Sequence, residues 1–289
     1  MSVNFKEHSP REQAPIDVTP FHQWAFSDGA IWTIFYRHET GYLLRFPELA
    51  DFKVSGDGGD VQGWPAPGVT SVTVEHLHLN QVLPLAMSRQ GKLVMHGSAV
   101  DVDGQGLAFV GESGRGKSTL AASFATGGCR FLTDDGLHLE WVGDECRINP
   151  SHPSIRLWDD SQKALTSEGV AKAPSLDFTA KARLLAGPEI AFCDESRPLR
   201  GVYFLGLGTA PSLTIERILP AAALIELAKN SFLLDIDEQA MLALHFDELC
   251  RLANLPIYYY LDYPRCYEDL PRVRAEIMRH TSEQERKML

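Results

Sequence analysis

The clearest pattern of apolar and polar positions lies in the middle of the chain. Residues 93–102 and 107–110 are apolar runs of strand length, and Asp103 and Gly104 between them favour a tight turn. A glycine-rich stretch follows, and residues 120–125 are helix-forming. The pattern predicts an antiparallel hairpin whose second strand leads through a turn into a helix. Such a hairpin is unusual for doubly wound sheets and indicates a different kind of sheet.

The regions before and after this hairpin predict different secondary structure. Residues 1–20 are polar and predict a loose lead-in, whereas aromatic and β-branched runs up to about residue 74 predict short strands. Helical spacing follows over residues 74–89. We therefore expect an α/β protein with a small β-rich region over residues 1–75 and a larger domain over residues 76–289. In the final third we predict helices over 220–229, 238–253 and 270–279 and a strand over 257–261.

The glycine-rich stretch fits the phosphate-loop pattern G-x-x-x-x-G-K-[ST]. Glycines let successive backbone N–H groups curl around an anion, and the following helix adds its positive end. Lys117 can reach the β- and γ-phosphates, and the Ser118 hydroxyl is a hard oxygen ligand for Mg²⁺. We therefore predict a nucleoside triphosphate site with ATP and Mg²⁺ as cofactors. The residues expected to contact the nucleotide are Gly111, Glu112, Ser113, Gly114, Arg115, Gly116, Lys117, Ser118 and Thr119.

Two adjacent carboxylates, Asp134 and Asp135, follow a short predicted strand soon after the phosphate loop. One carboxylate can hold a metal ion and the other can accept a proton from an attacking hydroxyl group. The spacing alone leaves open which residue has which role. Three arginines, Arg156, Arg197 and Arg200, are candidates for holding the charge that develops during transfer.

Composition and charge narrow the function classes. The formal net charge is −11, which disfavours nucleic acid or an anionic membrane as partner. The five cysteines form no C-x-x-C pair, so neither a disulfide framework nor a zinc cluster is expected. The sequence shows no apolar signal segment and no uncharged run of membrane length, and we expect a cytoplasmic protein.

Several motifs, in this order, resemble the catalytic domain of HPr serine kinase/phosphorylase. They are residues 96–100, the loop 111–119, the glycines 127–128 and the pair Asp134–Asp135. Downstream, residues 154–158 and 198–205 resemble shorter HPr-kinase-like proteins found beside peptide-modification genes, some of which phosphorylate lasso-peptide precursors. The resemblance extends from about residue 77 to the C-terminus.

This resemblance implies a fold akin to that domain and to phosphoenolpyruvate carboxykinase, with a phosphate loop on a mixed sheet. It also implies roles for individual residues. Lys117 would contact the phosphates, and Ser118 with Asp135 would hold Mg²⁺. Asp134 would be the catalytic base, and His96 would lie near the reacting phosphate.

One departure from the family changes the expected activity. Bifunctional members carry a glutamate in a Leu-Glu-Ile-Arg-Gly signature, and this chain has Ser154 at that position. We therefore expect a kinase without the reverse, phosphorylase reaction, and Arg156 is kept as a catalytic candidate. The N-terminal region does not resemble the family's sensor domain, so we expect a serine of another peptide or protein as acceptor. HPr kinases form hexamers, which makes a homo-oligomer compatible with the resemblance.

Two alternatives remain open at this stage. The same residues suit a kinase that phosphorylates the hydroxyl of a small molecule, and this reading predicts a closed acceptor pocket. They also suit a nucleotide-binding regulator whose slow hydrolysis switches a partner. The sequence does not distinguish ATP from GTP, and it assigns no role to residues 1–75.

Overall fold

The chain folds into a mixed α/β structure, and its computed structural model describes residues 3–26, 28–167 and 169–288, which form three sheets. The strands are β1 (Asn4–Glu7), β2 (His22–Ala25), β3 (Ile31–His38), β4 (Gly41–Phe46), β5 (Ala50–Ser55), β6 (Asp60–Pro65), β7 (Leu93–Val102), β8 (Gln105–Val110), β9 (Arg130–Thr133), β10 (Gly136–Val142), β11 (Glu145–Asn149), β12 (Ser154–Leu157), β13 (Ala182–Leu185), β14 (Arg197–Leu205), β15 (Thr214–Arg217) and β16 (Tyr258–Asp262). The helices are α1 (Ser71–Leu77), α2 (Leu83–Arg89), α3 (Lys117–Thr126), α4 (Asp159–Leu165), α5 (Pro220–Lys229), α6 (Gln239–Ala253) and α7 (Leu270–Met288).

By the density of its internal contacts the chain divides into two compact units. The first consists of Met1–Lys92, Pro174–Thr179 and Leu233–Leu242, and the second of Leu93–Ala173, Ala180–Phe232 and Ala243–Leu289. The units interleave along the chain, whereas the predicted domains are consecutive segments. The boundary near residue 75 therefore stays a prediction.

The first unit contains a six-stranded sheet in the order β1-β6-β5-β4-β3-β2. Its core includes Phe35, Leu44 and Phe52, all of which are buried. The predicted loose lead-in is wrong at β1, which pairs in parallel with β6 from Asn4 opposite Asp60 onward. The helical stretch predicted over 74–89 is present as α1 and α2, joined by a π-helical turn over His78–Val82.

The second unit contains a mixed sheet in the order β11-β10-β7-β8-β14-β16-β15, with β9 paired to β7. Strands β8, β14 and β16 run parallel, and β7 is antiparallel to β8. The predicted hairpin is therefore confirmed. Asp103 and Gly104 form its turn with φ values of 52° and 85°, the positive angles that such a two-residue turn requires.

Both faces of this sheet are covered, so β8 is apolar on both sides. Leu107 and Phe109 pack among residues of α3 and α7, whereas Ala108 and Val110 pack among residues of α5 and α6. This three-layer core fixes the end of β8, from which the glycine-rich turn departs. Within the described residues, no helix has both the length and the apolar content needed to cross a membrane.

A buried histidine makes the stability of the fold sensitive to acid. The His78 ring stacks on Phe5 with 3.9 Å between centroids, and its Nδ1 atom is buried without a hydrogen-bond partner among the described residues. Burial lowers the pKa of His78 to about 4. Because the fold favours the neutral ring, its contribution to stability is complete above the unfolded-state pKa of about 6.5 and is lost as the pH falls toward 4.

We predict that His78→Phe keeps the stacking and removes this pH dependence. Between pH 7.5 and pH 4.5 the free energy of unfolding should fall by roughly 2–3 kcal/mol more in the wild type than in the variant. Urea denaturation at both pH values measures the difference. The same pH dependence in both proteins would contradict the assignment.

Candidate active site

The turn after β8, which the sequence predicts to be a phosphate loop, is built around three glycines. Gly111, Gly114 and Gly116 have φ values of 151°, 84° and 88°, a region that side-chain-bearing residues rarely adopt. Helix α3 begins directly after Gly116, and its first N–H groups have no acceptor within the helix. Backbone donors and the positive end of the helix dipole are thus available to an anion at one point.

Lys117 is buried at the base of this loop. Its Nζ donates to the carbonyl oxygens of Gly111 (2.7 Å) and Glu112 (2.9 Å). Burial lowers the pKa of Lys117 to about 8. An ammonium group has three N–H donors. Two of them bind the loop carbonyl oxygens, and the third can donate to a phosphate oxygen.

The remaining predicted loop residues differ in their surroundings. Ser113 and Glu112 are exposed, and Glu112 pairs with Arg115 at 2.5 Å. Thr119 Oγ1 lies 3.2 Å from Ser161 Oγ, so this hydroxyl is engaged beside α4. The Ser118 side chain lies near enough to Asp134 to act on the pKa of that carboxyl group, which it lowers.

Asp134 follows β9 and is only 2% exposed. Its Oδ1 accepts from Ser98 Oγ at 2.7 Å, and its Oδ2 accepts from the Arg156 backbone N–H at 3.0 Å. Burial raises the pKa of Asp134, and the neighbouring charge of Asp135 raises it further. The carboxyl group is thus oriented by fixed donors and has an increased affinity for a proton.

Asp135 is also buried, but its pKa is shifted in the opposite direction. Its Oδ2 accepts from Arg156 Nε (2.8 Å) and Nη2 (2.5 Å). Burial is the largest single effect and opposes ionisation of this carboxyl group, but the charge of Arg156, the other nearby positive charges and the hydrogen bonds from Arg156 together outweigh it and hold the pKa of Asp135 below its usual range. Its φ of 67° is rare for a residue with a side chain and marks a backbone held in place by its surroundings. The two adjacent carboxyl groups thus have pKa values shifted in opposite directions. The raised pKa of Asp134 suits a general base, and the lowered pKa of Asp135 keeps that carboxylate ionised.

His96, on β7, completes one side of the site. Its Nδ1 lies 3.2 Å from the Asp135 carbonyl oxygen, and its backbone N–H donates to the Asn230 carbonyl oxygen at 2.7 Å. Burial lowers the pKa of His96 to about 4, with the Lys117 charge acting in the same direction. The imidazole is therefore neutral near pH 7.

Of the three candidate arginines, the structure brings only Arg156 to the carboxylates. Arg197 pairs with Asp101 (3.2 Å) and Glu195 (2.7 Å). Arg200 pairs with Glu145 at 2.6 Å on a partly exposed surface. Arg197 and Arg200 thus pair with carboxylates other than Asp134 and Asp135, and their role in holding transition-state charge stays a prediction.

Sequence reasoning assigned no role to two residues that belong to the site. Ser98 donates to Asp134, and strand periodicity could have revealed it because residues two apart on β7 share a face with His96. Lys181 precedes β13, and its charge acts on Lys117 and Asp135. No local pattern identifies Lys181, since a non-local strand pairing brings it to the site.

The oxygen donors present suit Mg²⁺. The Ser118 hydroxyl and the two carboxylates meet beside the phosphate loop, and Mg²⁺ typically takes one or two carboxylates while keeping water and phosphate oxygens as its other ligands. Among the described residues, no group of three or more His, Cys, Asp or Glu side chains could hold a metal ion by itself. Ser118 and Asp135 are the residues that would hold the cation together with a nucleotide.

Comparison with known proteins finds partial sequence similarity to HPr kinase/phosphorylase. The chain is 36% identical to that of Caldanaerobacter subterraneus subsp. tengcongensis over 64 residues, 22% of this chain and 21% of that protein. It is 40% identical to that of Lachnoclostridium phytofermentans over 57 residues, 20% of this chain and 18% of that protein. For Exiguobacterium sp. the identity is 33% over 72 residues, 25% and 23% of the two chains.

The predicted resemblance to HPr kinase/phosphorylase is thus confirmed over these stretches, and the chain spans about a fifth of the length of the curated relatives it matches. No family model matches the chain. The solved HPr(Ser) kinase/phosphatase from Coxiella burnetii aligns with a TM-score of 0.35 and 11% identity, over 66% of this chain and 98% of that chain. The fold assignment rests on the sheet order and register described above.

The ion pair between Arg156 and Asp135 should behave as a buried unit. We predict that Arg156→Met lowers the free energy of unfolding by about 3–5 kcal/mol, because it leaves a buried carboxylate without its partner. The double variant Arg156→Met/Asp135→Asn should lose clearly less than the single one. Chemical denaturation of each protein completes the double-mutant cycle.

Arg200→Met is the matched control for this cycle. Arg200 also pairs with a carboxylate, but both side chains are about one-third exposed, so we expect a loss below about 1 kcal/mol. If the two site substitutions are simply additive, the pair is not the coupled unit described here.

Proposed function

We propose that this protein is a Mg²⁺-dependent kinase that transfers the γ-phosphoryl group of ATP to a hydroxyl group, most consistently a serine of a peptide or protein. The observation that carries the proposal is the register of β7, which pairs with both β8 and β9 and so sets the buried pair Asp134–Asp135 beside the glycine-rich loop. The similarity of the chain to proteins named HPr kinase/phosphorylase supports the same reaction class.

In this proposal Asp134 is the general base. The pKa of Asp134 is raised, and a general base is most effective when its pKa is close to the working pH. The raised pKa therefore favours acceptance of the proton as the hydroxyl group attacks. Ser98 and the Arg156 backbone N–H orient the carboxylate, so it does not have to reorganise during transfer. The proton moves from the acceptor hydroxyl to Asp134 as the acceptor oxygen bonds to the γ-phosphorus, and the bond from that phosphorus to the β–γ bridging oxygen breaks with release of ADP.

The phosphates are held by the loop and by two cations. Backbone N–H groups at the start of α3 and the remaining donor of Lys117 would contact the β- and γ-phosphates. Ser118 and Oδ1 of Asp135 would hold Mg²⁺, which when bound neutralises charge on the phosphate oxygens. The guanidinium group of Arg156 occupies Oδ2 of Asp135 and keeps that carboxylate ionised.

The position of Ser154 supports a kinase without phosphorylase activity. Ser154 is buried at the start of β12, two residues before Arg156, where the resemblance places the glutamate of the bifunctional enzymes. A serine hydroxyl carries no charge and is a weaker partner for a metal ion or a proton. Inorganic phosphate should therefore not remove the phosphoryl group from a phosphorylated product.

The kinase assignment is tested with γ-labelled ATP and Mg²⁺ against serine-containing peptides, HPr protein and small hydroxyl compounds. We expect label on a serine of a peptide or protein. Asp134→Asn should lower kcat by at least about 100-fold with ADP affinity nearly unchanged, because it removes only the base. Lys117→Ala should weaken nucleotide binding itself.

Arg200→Met serves as the control and should label acceptors at the wild-type rate, since its ion pair lies away from the carboxylates. Label on small hydroxyl compounds alone would replace the peptide acceptor by a metabolite. Label released only as free phosphate, at a rate that Asp134→Asn leaves unchanged, would contradict the kinase assignment and favour a nucleotide-driven switch.

A further inference from the structure

Strands β12 and β13 form a two-stranded antiparallel ribbon beside the carboxylates. Its register sets Arg156 opposite Arg183 and Leu157 opposite Ala182, so Trp158 falls opposite Lys181. Opposite residues, and residues two apart along a strand, share a face. One face of the ribbon and its extension therefore carries three cations and one tryptophan.

The other face of the ribbon anchors it in the core. Ile155, Leu157 and Leu184 are almost completely buried and belong to the cluster that contains Phe124 of α3. The apolar face thus fixes the direction of the basic face. Lys181 is further held by Trp158, whose ring centroid lies 5.2 Å from Nζ.

The basic face brings more cationic side chains to the site than the site has carboxylates. Arg156 and Arg183 are directly opposed, and like charges in that position destabilise a strand pair. Asp135 binds Arg156, and Arg183 Nε is buried without a hydrogen-bond partner among the described residues. Together with Lys117, these cations outnumber the two carboxylates of the site.

Lys181 continues the face of the ribbon that adjoins the carboxylates. It is two residues from Arg183, which lies opposite Arg156, and the guanidinium group of Arg156 binds Asp135. The other charged and titratable groups that act on this region are Arg156, Asp134, Asp135, His152 and Arg183. An anion bound between the loop and the ribbon would lie among four cations.

We propose that the basic face of β12–β13, through Lys181 and Arg183, binds the terminal phosphate of the nucleotide on the side opposite Lys117. This inference rests on the proposed function, because it needs a nucleoside triphosphate on the loop. The ligand chemistry is a phosphate group with two negative charges. Lys181 and Arg183 would distinguish a triphosphate from a diphosphate, whose last phosphate ends at the loop.

Calorimetric titration of the full chain with Mg²⁺ tests this assignment, using ADP and a non-hydrolysable ATP analogue. Lys181→Met should weaken binding of the ATP analogue at least tenfold and change ADP binding less than twofold. Arg183→Met should act in the same direction, and Lys181→Arg should restore most of the affinity because it restores the charge. Trp158→Leu should give an intermediate loss.

Lys172→Met is the matched control, because Lys172 is exposed and bridges to β13 only at Leu184. It should bind both nucleotides as the wild type does. Thermal unfolding of each variant verifies that it is folded. If Lys181→Met and Arg183→Met weaken both nucleotides equally or neither, the inference is overturned.

The same variants distinguish binding of the terminal phosphate of the nucleotide from binding of the phosphate group of a phosphorylated product. Titration with a phosphoserine peptide in the presence of ADP measures that second source. A loss confined to the phosphopeptide, with the ATP analogue unaffected, overturns the assignment to the nucleotide. Selective loss of the ATP analogue in a protein that transfers no phosphate would uphold this inference and reject the kinase, so the two failures are distinguishable.

Discussion

The site depends on the hydrogen bonds from Arg156 to two adjacent buried carboxylates. Its backbone N–H binds Asp134, and its guanidinium group binds Asp135. One residue thereby holds both acids at the phosphate loop while giving them different electrostatic surroundings. Without this arrangement, burial and mutual repulsion would raise the pKa of at least one of the two carboxyl groups.

The fold supplies this arrangement by bringing four segments together. Strand β7 carries His96 and Ser98, β8 leads into the loop, β9 ends just before Asp134, and β12 carries Arg156. β7 pairs with both β8 and β9, so the loop and the acids are neighbours by sheet register. The buried layers on both faces then limit movement of these strands, which preorganises the charged groups.

Local signals in the sequence were sufficient for much of this architecture. The Asp103–Gly104 turn and the glycine-rich loop require positive φ angles, and few residue types permit them. Non-local pairing was not predictable in the same way. Strand β1 has four residues and finds its partner more than fifty residues later, and β13 lies in a segment without clear periodicity. The ion-pair partners of Arg197 and Arg200 were not predictable either, because the sequence alone does not indicate which carboxylate an arginine will contact.

We infer that the loop and the carboxylate pair form one site for a phosphoryl group in transfer. A crystal structure with ADP, Mg²⁺ and aluminium fluoride, a planar mimic of the transferring group, tests it most directly. We predict the ADP phosphates on the N–H groups of residues 114–119, with the fluoride mimic between Lys117 and the carboxylate pair and Asp134 facing its open side. A nucleotide bound elsewhere, or a mimic on this loop with Asp134 remote from it, would contradict the account.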